Sequence, residues 1–127
     1  MLESISWFLG CSNMAASLVF QAIAFHSPKL DGKMKDSMLR ACNVHQVASL
    51  GFILLALNKS PESYWNTMNF SILSVATTLF PGVIYYQNLA KAGQKVALSR
   101  FVPTGGVLHM VFWVMMSVNY SSYIAKK

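Results

Sequence analysis

Three histidines, His26, His45 and His109, are the titratable side chains that fall within or beside the apolar stretches of this chain. An imidazole in a bilayer is a functional group by default, because it can ligate haem or metal, relay protons, or hold helices together through hydrogen bonds. No two of the three stand at i, i+4 on one helix, and no carboxylate accompanies them. That spacing favours hydrogen bonds between helices, so no cofactor, metal or catalytic residue is assigned, and the three histidines are the sole candidates for a haem or metal site. His26 closes the first apolar stretch. His45 reads as about four residues into the second and His109 about six into the fourth, a depth of roughly 6 to 9 Å at helical rise, in one leaflet. The remaining chemistry is sparse. There is no Gly-rich phosphate loop, and Glu3, Asp31, Asp36 and Glu62 all read as lying in loops or at the terminus, so no carboxylate pair forms. The chain is not expected to be an enzyme.

The elements that position these residues follow from composition. Of 127 residues, 54% are apolar and 11% charged, where an average soluble domain carries roughly 25% charged residues. A soluble domain of this size leaves much of its surface in water, and 14 charged side chains, ten basic and four acidic, cannot cover it. Lipid can, which excludes an ordinary globular enzyme. Every Lys, Arg, Asp and Glu lies outside four apolar stretches, at about 5–25, 41–58, 66–90 and 103–125. At about 1.5 Å per residue each crosses a hydrocarbon core of roughly 30 Å, the second only just. The stretches are too long and too weakly alternating for barrel strands, so helices are predicted. The expected fold is a single all-α domain, an integral membrane four-helix bundle of two antiparallel hairpins.

Four crossings place both termini on one side. The opposite side then carries Lys29, Lys33, Lys35, Arg40, Lys91, Lys95 and Arg100, against Lys59, Lys126 and Lys127 on the terminal side. The positive-inside rule makes the richer side cytoplasm or mitochondrial matrix, with the termini in the periplasm or intermembrane space. Aromatic belts agree: Trp7, Tyr64, Trp65, Tyr120 and Tyr123 at the terminal side, Tyr85 and Tyr86 at the basic side, with Trp113 left to pack between helices. The first stretch reads as a retained anchor rather than a signal peptide, since it has Glu3 in place of a basic n-region, and no Arg-rich leader precedes it. The seven basic residues are lipid-headgroup candidates, and segment 29–40, read as a loop, either lies at headgroup level beside anionic lipid such as cardiolipin or is solvated. The net charge of +6 is of this topogenic kind and does not indicate nucleic acid. Cys11 and Cys42 read as unbridged packing residues.

Helices in lipid associate through small and polar residues. Three stripes at helical spacing are therefore assigned to packing: Asn13, Ser17 and Gln21; Ser74, Thr78 and Gly82; and Gly105, His109, Trp113 and Ser117, with Gly106 beside the last. Pro81 predicts a kink in the third helix and Pro103 a helix start. No internal repeat of the transporter kind is present.

Phe80, Gly82 and Tyr85 form a Phe-x-Gly-x-x-Tyr stretch, and Pro103, Gly105 and Gly106 a Pro-x-Gly-Gly stretch followed by Trp113. Together they resemble the transmembrane protein 256 family, small four-helix proteins of bacterial inner membranes and mitochondria without a known activity. Ala24, Phe25 and His26 resemble that family's Gly-Ala-His, and His45 with Ala48 the opening of its second helix. Phe112 replaces the Gly before Trp113, Pro81 interrupts the first stretch, and His109 takes a usually apolar position. The resemblance implies a four-helix membrane protein without catalysis. The function expected is a noncatalytic accessory subunit of a larger membrane complex, with other membrane subunits and phospholipids as partners, in a respiratory-chain complex of the mitochondrial inner membrane. The alternatives are a bacterial inner-membrane location, a small transporter or channel, and a haem or metal carrier.

Overall fold

The hydrocarbon-length segments predicted from charge segregation form four helices in the computed structural model, which describes residues 1–58 and 63–125, with Ser63 and residues 122–125 as backbone only. The first span is Leu2–His26, the second Gly32–Leu57, the third Tyr64–Ala90 and the fourth Ala97–Ser121, each long and apolar enough to cross a bilayer. The described residues are otherwise turns, without a strand. The chain is an all-α integral membrane protein. Lys59, Lys126 and Lys127 of the terminal side, together with Glu62, lie outside the described residues, and so does the side chain of Tyr123.

The second helix begins nine residues before the predicted boundary, so residues 32–40 of the segment read as a loop are helical and only 29–31 belong to the connection. Asp31 supplies the reason: its carboxylate accepts the Met34 N–H at 2.8 Å and its backbone is extended, the geometry of an N-cap. Hydropathy alone missed this, because the first turns are charged and leave the bilayer while remaining helical. Asp31→Ala is expected to destabilise the folded protein by about 1 kcal/mol, the usual value of a lost N-cap, with fraying confined to the first turns. Amide exchange of residues 32–36 checks it.

Pro81 is accommodated by a local change of helix type. Thr78–Gly82 is a π turn and a second π turn, Tyr86–Ala90, follows the short α segment Val83–Tyr85. A prolyl ring clashes with the carbonyl four residues back and lacks an N–H; the wider turn relieves both. In the fourth span a 3-10 turn, Ala97–Phe101, leads into the α-helix Val102–Ala125, and Pro103 sits in the first turn, where its missing N–H breaks nothing.

Contacts are most extensive between the first and second spans and between the third and fourth, as two antiparallel hairpins require. The second span is the centre: half of its apolar window is buried, against 17% for the first and fourth. Ala24, Leu30, Met38, Ala41, Cys42 and Tyr85 form one core cluster, and Ala48, Phe52, Leu55, Leu73, Phe112 and Met116 the other. Trp113 packs on the second cluster and is half-buried. Two glycines set the approach of each hairpin. A Cβ at Gly10 would lie 2.6 Å from Ile53 and 3.0 Å from the Ser49 carbonyl, and one at Gly105 would lie 2.7 Å from the backbone nitrogen of Phe80.

Candidate functional site

His45 organises the interior. It is 5% exposed and takes partners from two other spans: Asn13 Oδ1 of the first at 2.9 Å from Nε2, and the Tyr85 hydroxyl of the third at 3.3 Å from Nδ1. Only one tautomer satisfies both, with Nε2–H donating to Asn13 and Nδ1 accepting from Tyr85. Phe20 stacks on the Tyr85 ring with centroids 4.1 Å apart, and Ser49 Oγ donates to the His45 carbonyl at 2.7 Å. About two turns nearer the basic end of the first span, Gln46 Nε2 donates to Gln21 Oε1 at 3.1 Å. Because the second helix starts at Gly32, with charged first turns ahead of its apolar part, His45 lies about 20 Å along it, near its midpoint.

His109 is 7% exposed but behaves differently. Its Nδ1–H donates to the Gly105 carbonyl of its own helix at 2.8 Å, its ring meets the edge of Phe80, and Nε2 is buried without a partner. It therefore contributes no hydrogen bond between helices, contrary to the role expected for it. A histidine that gives Nδ1–H to a carbonyl and presents a bare Nε2 has the form of a single ligand. His45, with both nitrogens engaged, does not. His26 is exposed at the end of the first span, and no group of three or more His, Cys, Asp or Glu converges among the described residues. Cys42 is buried and Cys11 exposed, both as free thiols.

Asn13, Ser17 and Gln21 face the second span, with Ser17 buried beside the two hydrogen-bonded pairs. Gly105 and His109 face the third, joined by buried Phe112 and Met116 at helical spacing, while Ser117 is exposed. Gly106 lies against the Phe80 ring. The remaining stripe is a correction: Thr78 and Gly82 are exposed and Ser74 is only half-buried, so that face looks out of the bundle. The buried face of the third span instead carries Asn69, Leu73, Ala76, Val83, Tyr85 and Asn88. A transport path needs the polar stripes of the first and third spans to face a hydrated cavity. The first is spent on the second span and the third points outward.

Tyr85 is a second correction, since it belongs to the core and not to an interfacial belt; Tyr86, 49% exposed, keeps the belt position. Neighbouring residues on a helix point about 100° apart, which here turns Tyr85 onto Phe20 and His45 and leaves Tyr86 outward. The signal available in the sequence was a set of buried-face polar residues, Asn13 and His45, in need of a third partner.

Lys29, Lys33, Lys35, Arg40, Lys91, Lys95 and Arg100 gather at one end of the bundle, where the first and third connections meet, with Gly93 packed beside Met34 and Asn88 donating to Ser37. All but Lys35 are exposed. Lys33, Lys35 and Arg40 ride on the second helix and not on a loop. Gln87 and Ser99 brace the third connection: Ser99 Oγ donates to Gln87 Oε1 at 2.6 Å and accepts the Val96 N–H at 3.1 Å. Comparison with protein-family models, curated proteins and solved structures returns no match to this chain.

Proposed function

We propose that this chain is a noncatalytic accessory subunit of a larger membrane complex. The observation that carries the reading is the outward stripe of Ser74, Thr78 and Gly82. Small residues at i, i+4, i+8 let a neighbouring helix approach closely, and their hydroxyls are already satisfied, Ser74 by the Phe70 carbonyl at 2.8 Å and Thr78 by the Ser74 carbonyl at 2.9 Å. Among the described residues nothing covers Thr78 or Gly82, and a Cβ at Gly82 would meet only the Thr77 carbonyl, at 3.5 Å. Lipid alone does not require small residues there.

The basic end fits the cytoplasmic or matrix side, with the termini opposite, in the intermembrane space or periplasm. The resemblance to the transmembrane protein 256 family supports a mitochondrial inner membrane, with a respiratory-chain complex as the host. The two stretches that carry it meet in space, since Phe80 rests on Gly105 and Gly106.

Native gels of gently solubilised membranes test the proposal. The chain is expected to migrate far above its 14.1 kDa mass with a fixed set of companions; migration as a monomer overturns the reading. The double substitution Thr78→Leu with Gly82→Leu is expected to release it from those companions while changing its own stability by no more than about 0.5 kcal/mol, as for other exposed positions.

A further inference from the structure

Between the charged start of the second span and the π turn of the third lies an open groove of about 390 Å³, lined by Lys33, Asp36, Ser37, Arg40, Phe80 and Ile84. We infer that this groove binds the phosphodiester headgroup and first acyl segment of one anionic phospholipid. The lining is split by chemistry. Lys33, Ser37 and Arg40 recur at i, i+4, i+7 and so share one face of the second helix, while Phe80 and Ile84, at i, i+4, form an apolar wall on the third.

Depth agrees with that division. The second helix has 26 residues and is about 39 Å long, roughly 9 Å more than a hydrocarbon core. With its apolar end immersed, the overhang of about six residues puts Lys33, Asp36 and Ser37 among the headgroups and Arg40 at the start of the acyl region. Lys33 and Arg40 are exposed, and neither forms an ion pair with Asp36 among the described residues. Ser37 Oγ accepts a long bond from Asn88 at 3.5 Å, which leaves its hydroxyl proton for a phosphate oxygen. Two cations and one carboxylate leave the groove net positive, complementary to a headgroup of net charge −1 and not to a zwitterion. The apolar wall distinguishes a lipid from free phosphate, which has nothing to place against Phe80 and Ile84. Of the seven basic residues at this end, only Lys33 and Arg40 are assigned to the site.

The test uses the isolated full-length chain in mild detergent, so its outcome is separate from that of the subunit proposal. Native mass spectrometry after titration with phosphatidylglycerol is expected to show one retained lipid, held at least fivefold more tightly than phosphatidylcholine. Lys33→Gln with Arg40→Gln is expected to weaken retention roughly 25-fold, about fivefold per cation, whereas Lys91→Gln with Lys95→Gln changes it by no more than about twofold. Asp36→Asn supplies an arm that misfolding cannot imitate: removing the carboxylate is expected to strengthen retention by up to about fivefold. Equal retention of phosphatidylcholine, weakening by Asp36→Asn, or an equal loss in the Lys91 and Lys95 pair overturns the inference. Full displacement by millimolar inorganic phosphate reassigns the groove to the free anion. If the Lys33 and Arg40 pair leaves lipid retention intact yet detaches the chain from companion proteins, the groove is a protein-docking surface and the lipid assignment is wrong.

Discussion

Replacing Gly105 by valine is expected to separate the third and fourth spans and to lower stability by about 3 kcal/mol, near the upper end of overpacking costs. The reason lies in what the new side chain meets. A Cβ there would sit 2.7 Å from the Phe80 backbone nitrogen and 3.0 Å from Cβ of both Leu79 and Phe80, atoms fixed by the π turn that cannot swing aside. In lipid this close approach is most of what holds two helices together, because burying apolar surface gains little. The adjacent glycine is the internal control. A Cβ at Gly106 would meet only the Phe80 ring, at 3.5 Å, an ordinary contact. Gly106→Ala is therefore expected to be neutral, or stabilising by up to about 1 kcal/mol through helix propensity. Thermal unfolding in mild detergent reads both, with a fall of roughly 10 °C for Gly105→Val. Similar behaviour of the two variants would show that the spans are not held at this point.

His45→Leu is the second large expected effect, about 3 kcal/mol of destabilisation. Leucine approximates the volume, so the loss is of hydrogen bonds rather than of packing. Two bonds disappear, each worth roughly 0.6 to 1.7 kcal/mol between membrane helices. The Asn13 amide then loses its donor and the buried Tyr85 hydroxyl one of its two side-chain partners, Cys42 being the other, which adds a desolvation cost of about 1 kcal/mol. A double-mutant cycle with Asn13→Ala isolates the direct bond and is expected to give a coupling of about 1 kcal/mol. Strict additivity of His45→Leu and Asn13→Ala would mean that the 2.9 Å contact contributes nothing.

The histidines show where sequence reasoning works on such a chain and where it stops. That imidazoles near apolar spans would serve as interhelical ties was legible from their solitude, and His45 is such a tie. That His109 would instead turn its Nδ1–H to the Gly105 carbonyl was not, because a histidine four residues after a glycine has both options, and the choice depends on whether a partner stands opposite Nε2. The packing stripes divide in the same way. Asn13, Ser17 and Gln21 face a neighbour because they carry hydrogen-bonding groups that lipid cannot satisfy. Ser74, Thr78 and Gly82 are under no such compulsion: their hydroxyls bond back to the helix, and the face is free to point outward. Asp31 marks the opposite case, a start signal present in the sequence but hidden by a hydropathy reading that equated the helix with its apolar part.

What the amino-acid sequence determined by itself is the number of spans, their helical state and the end at which the positive charge collects. Each of these follows from the cost of placing a charge or an unpaired peptide group in hydrocarbon, a cost paid residue by residue and independent of neighbours. What only the tertiary structure decided is which face of each span looks inward, how His45 unites three spans, and that Lys33 and Arg40 share a groove with Phe80 and Ile84. A helix that is apolar all round carries no contrast between core and surroundings, so its orientation is settled only when a second helix offers a backbone to approach or a polar group to bond.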